Sequence, residues 1–158
     1  MTEDQQVEQK ALWWKLAVIA LVAGLVAGLL YKVIGIVAGN STEPVTLGST
    51  AWFFPMLFLS AFYQKEHPGI IGIAYTVFTS LSAAFLSMGI YTISGQLCDG
   101  LAPGDVLRIV IQGIPLALGA VLFLKAPHRT HPVVVGAVVM ACTLSIGLAA
   151  GVCLGRLF

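Results

Sequence analysis

Gln112 and Pro115 stand out because they place polar chemistry inside a long apolar run. Pro115 has no N–H to donate to the carbonyl of Ile111, so a helix through this segment leaves that acceptor unpaired beside a carboxamide. Polar groups at membrane depth are taken as candidates for ligand contact or a solute pathway. A second interpretation is that Gln112 bonds to a neighbouring helix and fixes its register.

A stripe of small and hydroxyl-bearing residues lies in the preceding apolar run, 69–95. Its members recur at steps of three or four, which places them on one face of a helix. They are Gly72, Thr76, Ser80, Ala83, Ser87, Tyr91 and Ser94. We expect a tight seam against the helix that carries Gln112. The alternative is a polar crevice that binds a small solute through Gln112, Thr76, Ser80 and Ser87.

Histidines and basic residues gather in two short loops. The histidines are His67, His128 and His131, and the basic residues are Lys65, Lys125 and Arg129. A metal site would require the two loops to converge, and no cysteine joins the histidines. The basic residues instead favour a collar that binds anionic lipid head groups. The sequence therefore predicts no metal site and no cofactor.

The three cysteines do not form a CxxC motif, so no redox-motif enzyme is indicated. Cys142 lies in the middle of an apolar run, where a cysteine behaves as a small apolar residue. Cys98 and Cys153 are both expected near the outer face of the membrane, where an oxidising compartment could join them. Because a disulfide demands close approach of the Cα atoms, the sequence leaves their pairing open.

Catalytic groups are missing from the apolar runs. No acidic residue occurs between Glu66 and Asp99, and no Cys-His or Ser-His arrangement lies within the predicted membrane segments. The sequence therefore predicts that the protein is not an enzyme.

Composition explains why these polar residues matter. Of the 158 residues, 58% are hydrophobic and only 9% are charged, whereas soluble domains carry about a quarter charged residues. The mean hydropathy is +0.95. With a net charge of +1, no global field points to nucleic acid. The chain is predicted to be an integral membrane protein.

Five apolar runs are candidates for membrane helices. They cover 12–38, 45–64, 69–95, 105–124 and 133–157. We predict an all-α bundle of five transmembrane helices with short loops, forming a single domain over 1–158. The second run is the least certain span because it contains Pro55, and a re-entrant loop is the alternative.

The distribution of positive charge predicts the orientation. With five spans, one side carries Lys10, Lys15, Lys65, Lys125 and Arg129, and the other carries Lys32, Arg108 and Arg156. A re-entrant second run would divide these residues evenly, which the positive-inside rule disfavours. The sequence therefore predicts a cytoplasmic N-terminus and an external C-terminus, in a bacterial cytoplasmic membrane.

Glycines recur at every fourth position in the first and fifth runs. They are Gly24, Gly28, Gly147, Gly151 and Gly155. Such faces let helix backbones approach closely. One interpretation is internal packing of the first helix against the fifth, and the other is a homodimer face.

Two functions remain open from sequence. The first is a non-enzymatic structural or accessory subunit of a membrane assembly, favoured by the glycine faces and the minimal loops. The second is a small-solute transporter or channel, favoured by Gln112 and the hydroxyl stripe. The expected partners are the lipid bilayer and either a second copy of the chain or another membrane subunit.

Overall fold

A computed structural model describes residues 3–37, 52–100 and 105–157 of the chain. These residues form five α-helices and no strand. The helices are α1 (Glu3–Val37), α2 (Phe53–Glu66), α3 (Ile70–Asp99), α4 (Asp105–Leu124) and α5 (Pro132–Leu154). The predicted all-helical class is confirmed.

Four of the helices are long and apolar enough to cross a membrane. The candidate spans are Ala11–Val33, Ile70–Cys98, Val106–Leu124 and Pro132–Leu154, with mean hydropathies between 1.7 and 2.4. Each contains at least 19 residues, which as a helix rises close to the roughly 30 Å of a hydrocarbon core. The prediction that the chain is a membrane protein is confirmed.

The second apolar run is represented by a short helix. α2 has 14 residues and is therefore about 21 Å long, less than the thickness of a hydrocarbon core. The first part of the predicted run, 45–51, lies outside the described residues. A fifth membrane span therefore stays a prediction.

A tight turn joins α2 to α3. Gly69 has φ 90° and ψ −149°, a combination that is open essentially to glycine alone. The Gln64 carboxamide brackets this turn, because its Oε1 accepts from the Gly69 N–H at 3.3 Å and its Nε2 donates to the Gly69 carbonyl at 3.4 Å. The two helices consequently run antiparallel as a hairpin.

Local sequence also explains where α5 begins. Pro132 occupies the first turn, where its missing N–H costs no helical hydrogen bond. His131 precedes the helix, and its Nδ1 accepts from the Val133 N–H at 3.3 Å. The side chain thereby satisfies one of the backbone donors left unpaired at a helix N-terminus.

α1 and α5 run parallel and pack through glycines. A Cβ added to Gly24 would meet the carbonyl oxygen of Leu144, and one added to Gly151 would meet that of Leu25. Gly28 and Gly147 lie equally close to the facing backbone. Because the contact is with backbone and not with a flexible side chain, this seam has no room for even one methyl group.

α3 and α5 form the centre of the bundle, and α4 lies at its edge. α3 packs against α2, α4 and α5, whereas α5 packs against α1, α2 and α3. Only 6% of the apolar window in α4 is buried within the protein, against 50% in α5. α4 therefore presents most of its surface to the surroundings.

The two ends of the bundle differ in chemistry. At one end Cys98 of α3 and Cys153 of α5 form a disulfide, with their Cα atoms 6.0 Å apart; we call this the disulfide end. At the other end the α2–α3 turn at His67 meets the α4–α5 loop at His128; we call this the histidine end. The disulfide answers the pairing question that the sequence left open.

Candidate functional site

Tyr63 ties the two loops of the histidine end together. Its side chain is completely buried because α2, α3 and α5 close around it. The hydroxyl lies 3.0 Å from Thr79 Oγ1 of α3 and donates to the carbonyl of Pro127 at 2.8 Å. Since Pro127 belongs to the α4–α5 loop, one phenol fixes that loop to the α2–α3 hairpin.

Imidazole and aromatic rings surround this phenol. The His67 and His128 rings are 5.4 Å apart, and Tyr75 packs edge-on to His67 at 5.4 Å. The third imidazole, His131, lies 4.3 Å from the ring of Phe62. His128 adopts a positive φ of 53°, which is uncommon outside glycine.

The convergence of the loops meets one requirement of a metal site but not the others. The structure brings His67 and His128 together, as a shared metal would need. Among residues 3–37, 52–100 and 105–157, however, no group of three histidine, cysteine or acidic side chains has a metal-binding arrangement. The cluster packs aromatic rings together and places imidazoles at the histidine end of the bundle.

The predicted head-group residues lie at the same end. Lys65, Lys125 and Arg129 are all exposed. The Arg129 guanidinium donates to the carbonyl of Leu124, where a cation complements the C-terminal dipole of α4. The remaining guanidinium donors of Arg129 can bind an anion at the surface. Binding of lipid head groups by these three side chains stays a prediction.

The hydroxyl stripe of α3 lies inside the bundle. Thr76, Ser80 and Ser87 are at most 5% exposed. Thr76 donates to the Gly72 carbonyl at 2.8 Å and Ser87 to the Ala84 carbonyl at 3.0 Å, so both bond their own helix. The Ser80 hydroxyl is buried without a hydrogen-bond partner among the described residues.

The neighbour of this stripe differs from our expectation. We expected a seam against α4, but Ala83 clusters with Val138 and Ala141, both of α5. Further along the stripe, Tyr91 packs with two other residues of α5. The physical reason is that α3 has two small-residue faces, and α4 covers the second one, where Gly89 fits against Leu116.

Two hydroxyls that sequence reasoning missed make the contacts between helices. Ser82 donates to the Gly119 carbonyl of α4 at 2.9 Å, and Thr79 bonds to Tyr63 of α2. Both are completely buried. Each stands one position before a stripe member in the sequence, so a wider view of the small and hydroxyl residues in the run could have found them.

Gln112 does not join the stripe hydroxyls in one site. Gly89 lies against Leu116 and Leu86 against Gly119, so α3 and α4 run antiparallel. Gln112, four residues before Leu116, is therefore level with the part of α3 just beyond Gly89. Thr76 is therefore roughly 24 Å away along the helix axis. The buried Oε1 of Gln112 has no partner among the described residues. The structure leaves the predicted ligand residues at different depths.

A groove between α1 and α5 opens near the histidine end. Its volume is about 360 Å³, within the range of small-molecule sites. It is lined by Trp13, Trp14, Ala17, Thr130, Pro132, Val135, Gly136 and Val139. No pattern in the sequence predicted this groove.

Comparison of the chain with protein-family models, with curated proteins and with solved structures found no match. The class is therefore defined by the fold alone. It is a helical membrane protein with four candidate spans in its described residues.

Proposed function

We propose that the protein is a non-enzymatic structural or accessory subunit of a membrane assembly. The observation that carries this proposal is the position of α4 at the edge of the bundle, with only 6% of its apolar window buried. A helix of a second membrane protein would cover this exposed surface.

The internal packing of the bundle supports a scaffold role. Glycines hold α1 against α5 at backbone contact, and a disulfide joins the ends of α3 and α5. These contacts oppose the rocking of one half of a bundle against the other on which many transporters depend. A rigid body with an exposed edge helix suits a subunit that docks on a larger partner.

We also propose five membrane spans with the histidine end and the N-terminus in the cytoplasm. The positive-inside rule supports this orientation, because Lys65, Lys125 and Arg129 belong to the loops of that end. The disulfide supports it independently, since disulfides persist in oxidising compartments. On this proposal the membrane is a bacterial cytoplasmic membrane and the C-terminus is external.

Purification in mild detergent tests the proposed function. We expect a membrane protein to co-purify in fixed stoichiometry with the parent chain. The contact should be lost in Ile114→Trp, on the exposed surface of α4, and kept in Ile146→Trp, an exposed position of α5. Purification of the parent as a monomer without a partner would contradict the proposal.

The second candidate function is a small-solute transporter or channel that works as a homo-oligomer. It is favoured by the Ser80 hydroxyl, which is 4% exposed and has no partner among the described residues. A defined homo-oligomer in the same purification would support it. The double variant Ser80→Ala/Ser87→Ala should then keep its melting temperature and lose solute flux, because it removes two hydroxyls with little change of volume.

A further inference from the structure

The last two turns of α3 pack less closely than the rest of the helix. Buried residues recur along α3 as far as Tyr91, whereas residues 92–98 are all half-buried or exposed. Gly95 has no atom within 4 Å of the place where a Cβ would stand. The neighbouring start of α4 is itself exposed, with Val106 at 63% and Leu107 at 68%. Packing among the described residues therefore holds α3 firmly only up to Tyr91.

The sequence of these turns does not favour a helix on its own. It begins Thr92-Ile93-Ser94-Gly95, and all four residue types have lower helix propensities than alanine, glycine most of all. Such a segment depends on contacts with its neighbours to stay helical. The candidate span Ile70–Cys98 has 29 residues and is about 43 Å long, so the hydrocarbon core of roughly 30 Å does not enclose all of it.

A disulfide ties this weakly packed segment to a closely packed helix end. Cys98, in the last turn of α3, is bonded to Cys153 of α5. The end of α5 is anchored against α1, because a Cβ at Gly151 would meet the Leu25 backbone and a Cβ at Gly155 would meet the Lys32 side chain. The disulfide thus transfers the anchoring of α5 to the end of α3.

The disulfide is also open to reagents in water. Cys98 is exposed and Cys153 is half-buried. Exposed disulfides belong to the class that exchanges with external thiols, whereas enclosed structural disulfides resist reduction. The free Cys142 is about 16 Å from Cys153 along α5, too far to form an alternative disulfide with it.

We propose that the Cys98–Cys153 disulfide is a reversible latch, which holds the end of α3 when oxidised and releases it when a dithiol reduces it. A thiolate of the dithiol attacks the sulfur of Cys98, the S–S bond breaks, and Cys153 leaves as a thiolate that takes up a proton. The second thiolate of the dithiol then attacks the dithiol's own sulfur in the mixed disulfide and releases Cys98, which is protonated in turn. The chain gains two electrons and two protons, and the dithiol becomes a disulfide.

Reduction frees the end of α3 and leaves the bundle assembled. The glycine contacts between α1 and α5 do not involve the disulfide, and neither do the hydrogen bonds of Tyr63 to Thr79 and Pro127. The change is confined to the segment that leads from α3 towards α4. This inference does not depend on the proposed accessory role, because the latch acts within one chain.

Hydrogen exchange at defined redox states tests the latch. The full chain with Cys142→Ala, in lipid nanodiscs, is equilibrated with reduced or oxidised dithiothreitol, and maleimide labelling counts its free thiols. We expect reduced dithiothreitol to expose both thiols without denaturant. The amides of residues 92–98 should then exchange at least about tenfold faster, whereas those of residues 79–91 should keep their rates.

A variant without the bond separates the latch from other effects of the reductant. Cys98→Ser/Cys153→Ser, in the same Cys142→Ala background, should show the fast exchange of the reduced parent whether or not dithiothreitol is present. If this variant fails to fold, the comparison of the reduced with the oxidised parent decides the question by itself.

Three results would overturn the proposal. A bond that dithiothreitol reduces only after the protein is unfolded would be a permanent part of the fold. Unchanged exchange of residues 92–98 after reduction would mean that packing alone holds the end of α3. Faster exchange throughout α3 and α5 would make the disulfide a brace of the whole bundle and not a local latch.

Discussion

At the scale of single residues, the backbone conformation of Gly69 shapes the turn between α2 and α3. Its φ of 90° and ψ of −149° are closed to side chains with a Cβ, although no atom lies within 4 Å of the place where that Cβ would stand. The constraint is therefore one of backbone conformation and not of space. The Gln64 carboxamide adds two hydrogen bonds to the same residue.

We predict that Gly69→Ala destabilises the protein by about 1–3 kcal/mol, the usual cost of forcing such a backbone conformation. The matched control is Gly95→Ala, in the interior of α3 and also without a neighbour within 4 Å. It should be neutral or stabilise by about 0.5–1 kcal/mol, because alanine favours helix. Thermal melts in detergent would compare the two, and equal melting temperatures would contradict the turn geometry.

The hydroxyls of α3 divide into those that bond their own helix and those that bond a neighbour. We predict that Ser82→Ala, which removes a hydrogen bond to Gly119 of α4, costs on the order of 0.6–1.7 kcal/mol. Ser87→Ala removes a bond within α3 and should cost less, although both residues are completely buried. Thermal melts measure the difference. A larger loss from Ser87→Ala would mean that α3 and α4 do not pack in this register.

The sequence predicted some of the buried hydroxyls of α3 but not the ones that bond neighbouring helices. The periodicity of residues 69–95 identified a small polar face of α3, and Thr76, Ser80 and Ser87 are indeed buried. It missed Ser82, because a helical period assigns residues to faces without saying which neighbour covers each face. The hydrogen bonds of Tyr63 to Thr79 and Pro127 join three segments that are distant in sequence. No local sequence pattern could therefore predict them.

At the scale of helices, the glycine positions decide how closely α1 and α5 approach. Gly24 and Gly28 of α1 face the backbone of α5, and Gly147 and Gly151 face that of α1. The repeat of glycine at every fourth position predicted close packing, and internal packing was one of its two interpretations. The length of α2 was beyond prediction, because an apolar run does not mark the residue at which a helix begins.

We predict that Gly151→Ala destabilises the bundle by about 1–3 kcal/mol, the typical cost of overpacking a close contact. Its new methyl group would meet the backbone of α1 at Leu25. Gly113→Ala is the control, since it lies inside α4 with nothing within 4 Å of the added Cβ. This variant should be neutral or slightly stabilising. If Gly113→Ala lowered the melting temperature more than Gly151→Ala, the close packing of α1 against α5 would be contradicted.

At the scale of the whole molecule, the bundle places two kinds of chemistry at opposite ends. Rings, imidazoles and cations gather where the turn at His67 meets the loop at His128, and the disulfide of Cys98 and Cys153 closes the other end. Sequence predicted that the basic and histidine loops share one side and that both cysteines lie near the other, but it left the disulfide open. Their assembly depends on which helices are parallel, and for α3 and α5 this arrangement follows from packing of residues far apart in the chain.

The most direct test of this arrangement is the labelling of single cysteines in intact cells with a maleimide that cannot cross the membrane. The three native cysteines are first replaced by alanine, and a reporter is introduced at the histidine end as Glu66→Cys or beyond α5 as Leu157→Cys. Both positions are exposed. We expect Leu157→Cys to react in intact cells and Glu66→Cys to react only after the membrane is permeabilised. Labelling of Glu66→Cys but not of Leu157→Cys in intact cells would contradict the proposed orientation, and labelling of both would contradict the separation of the two ends by the membrane.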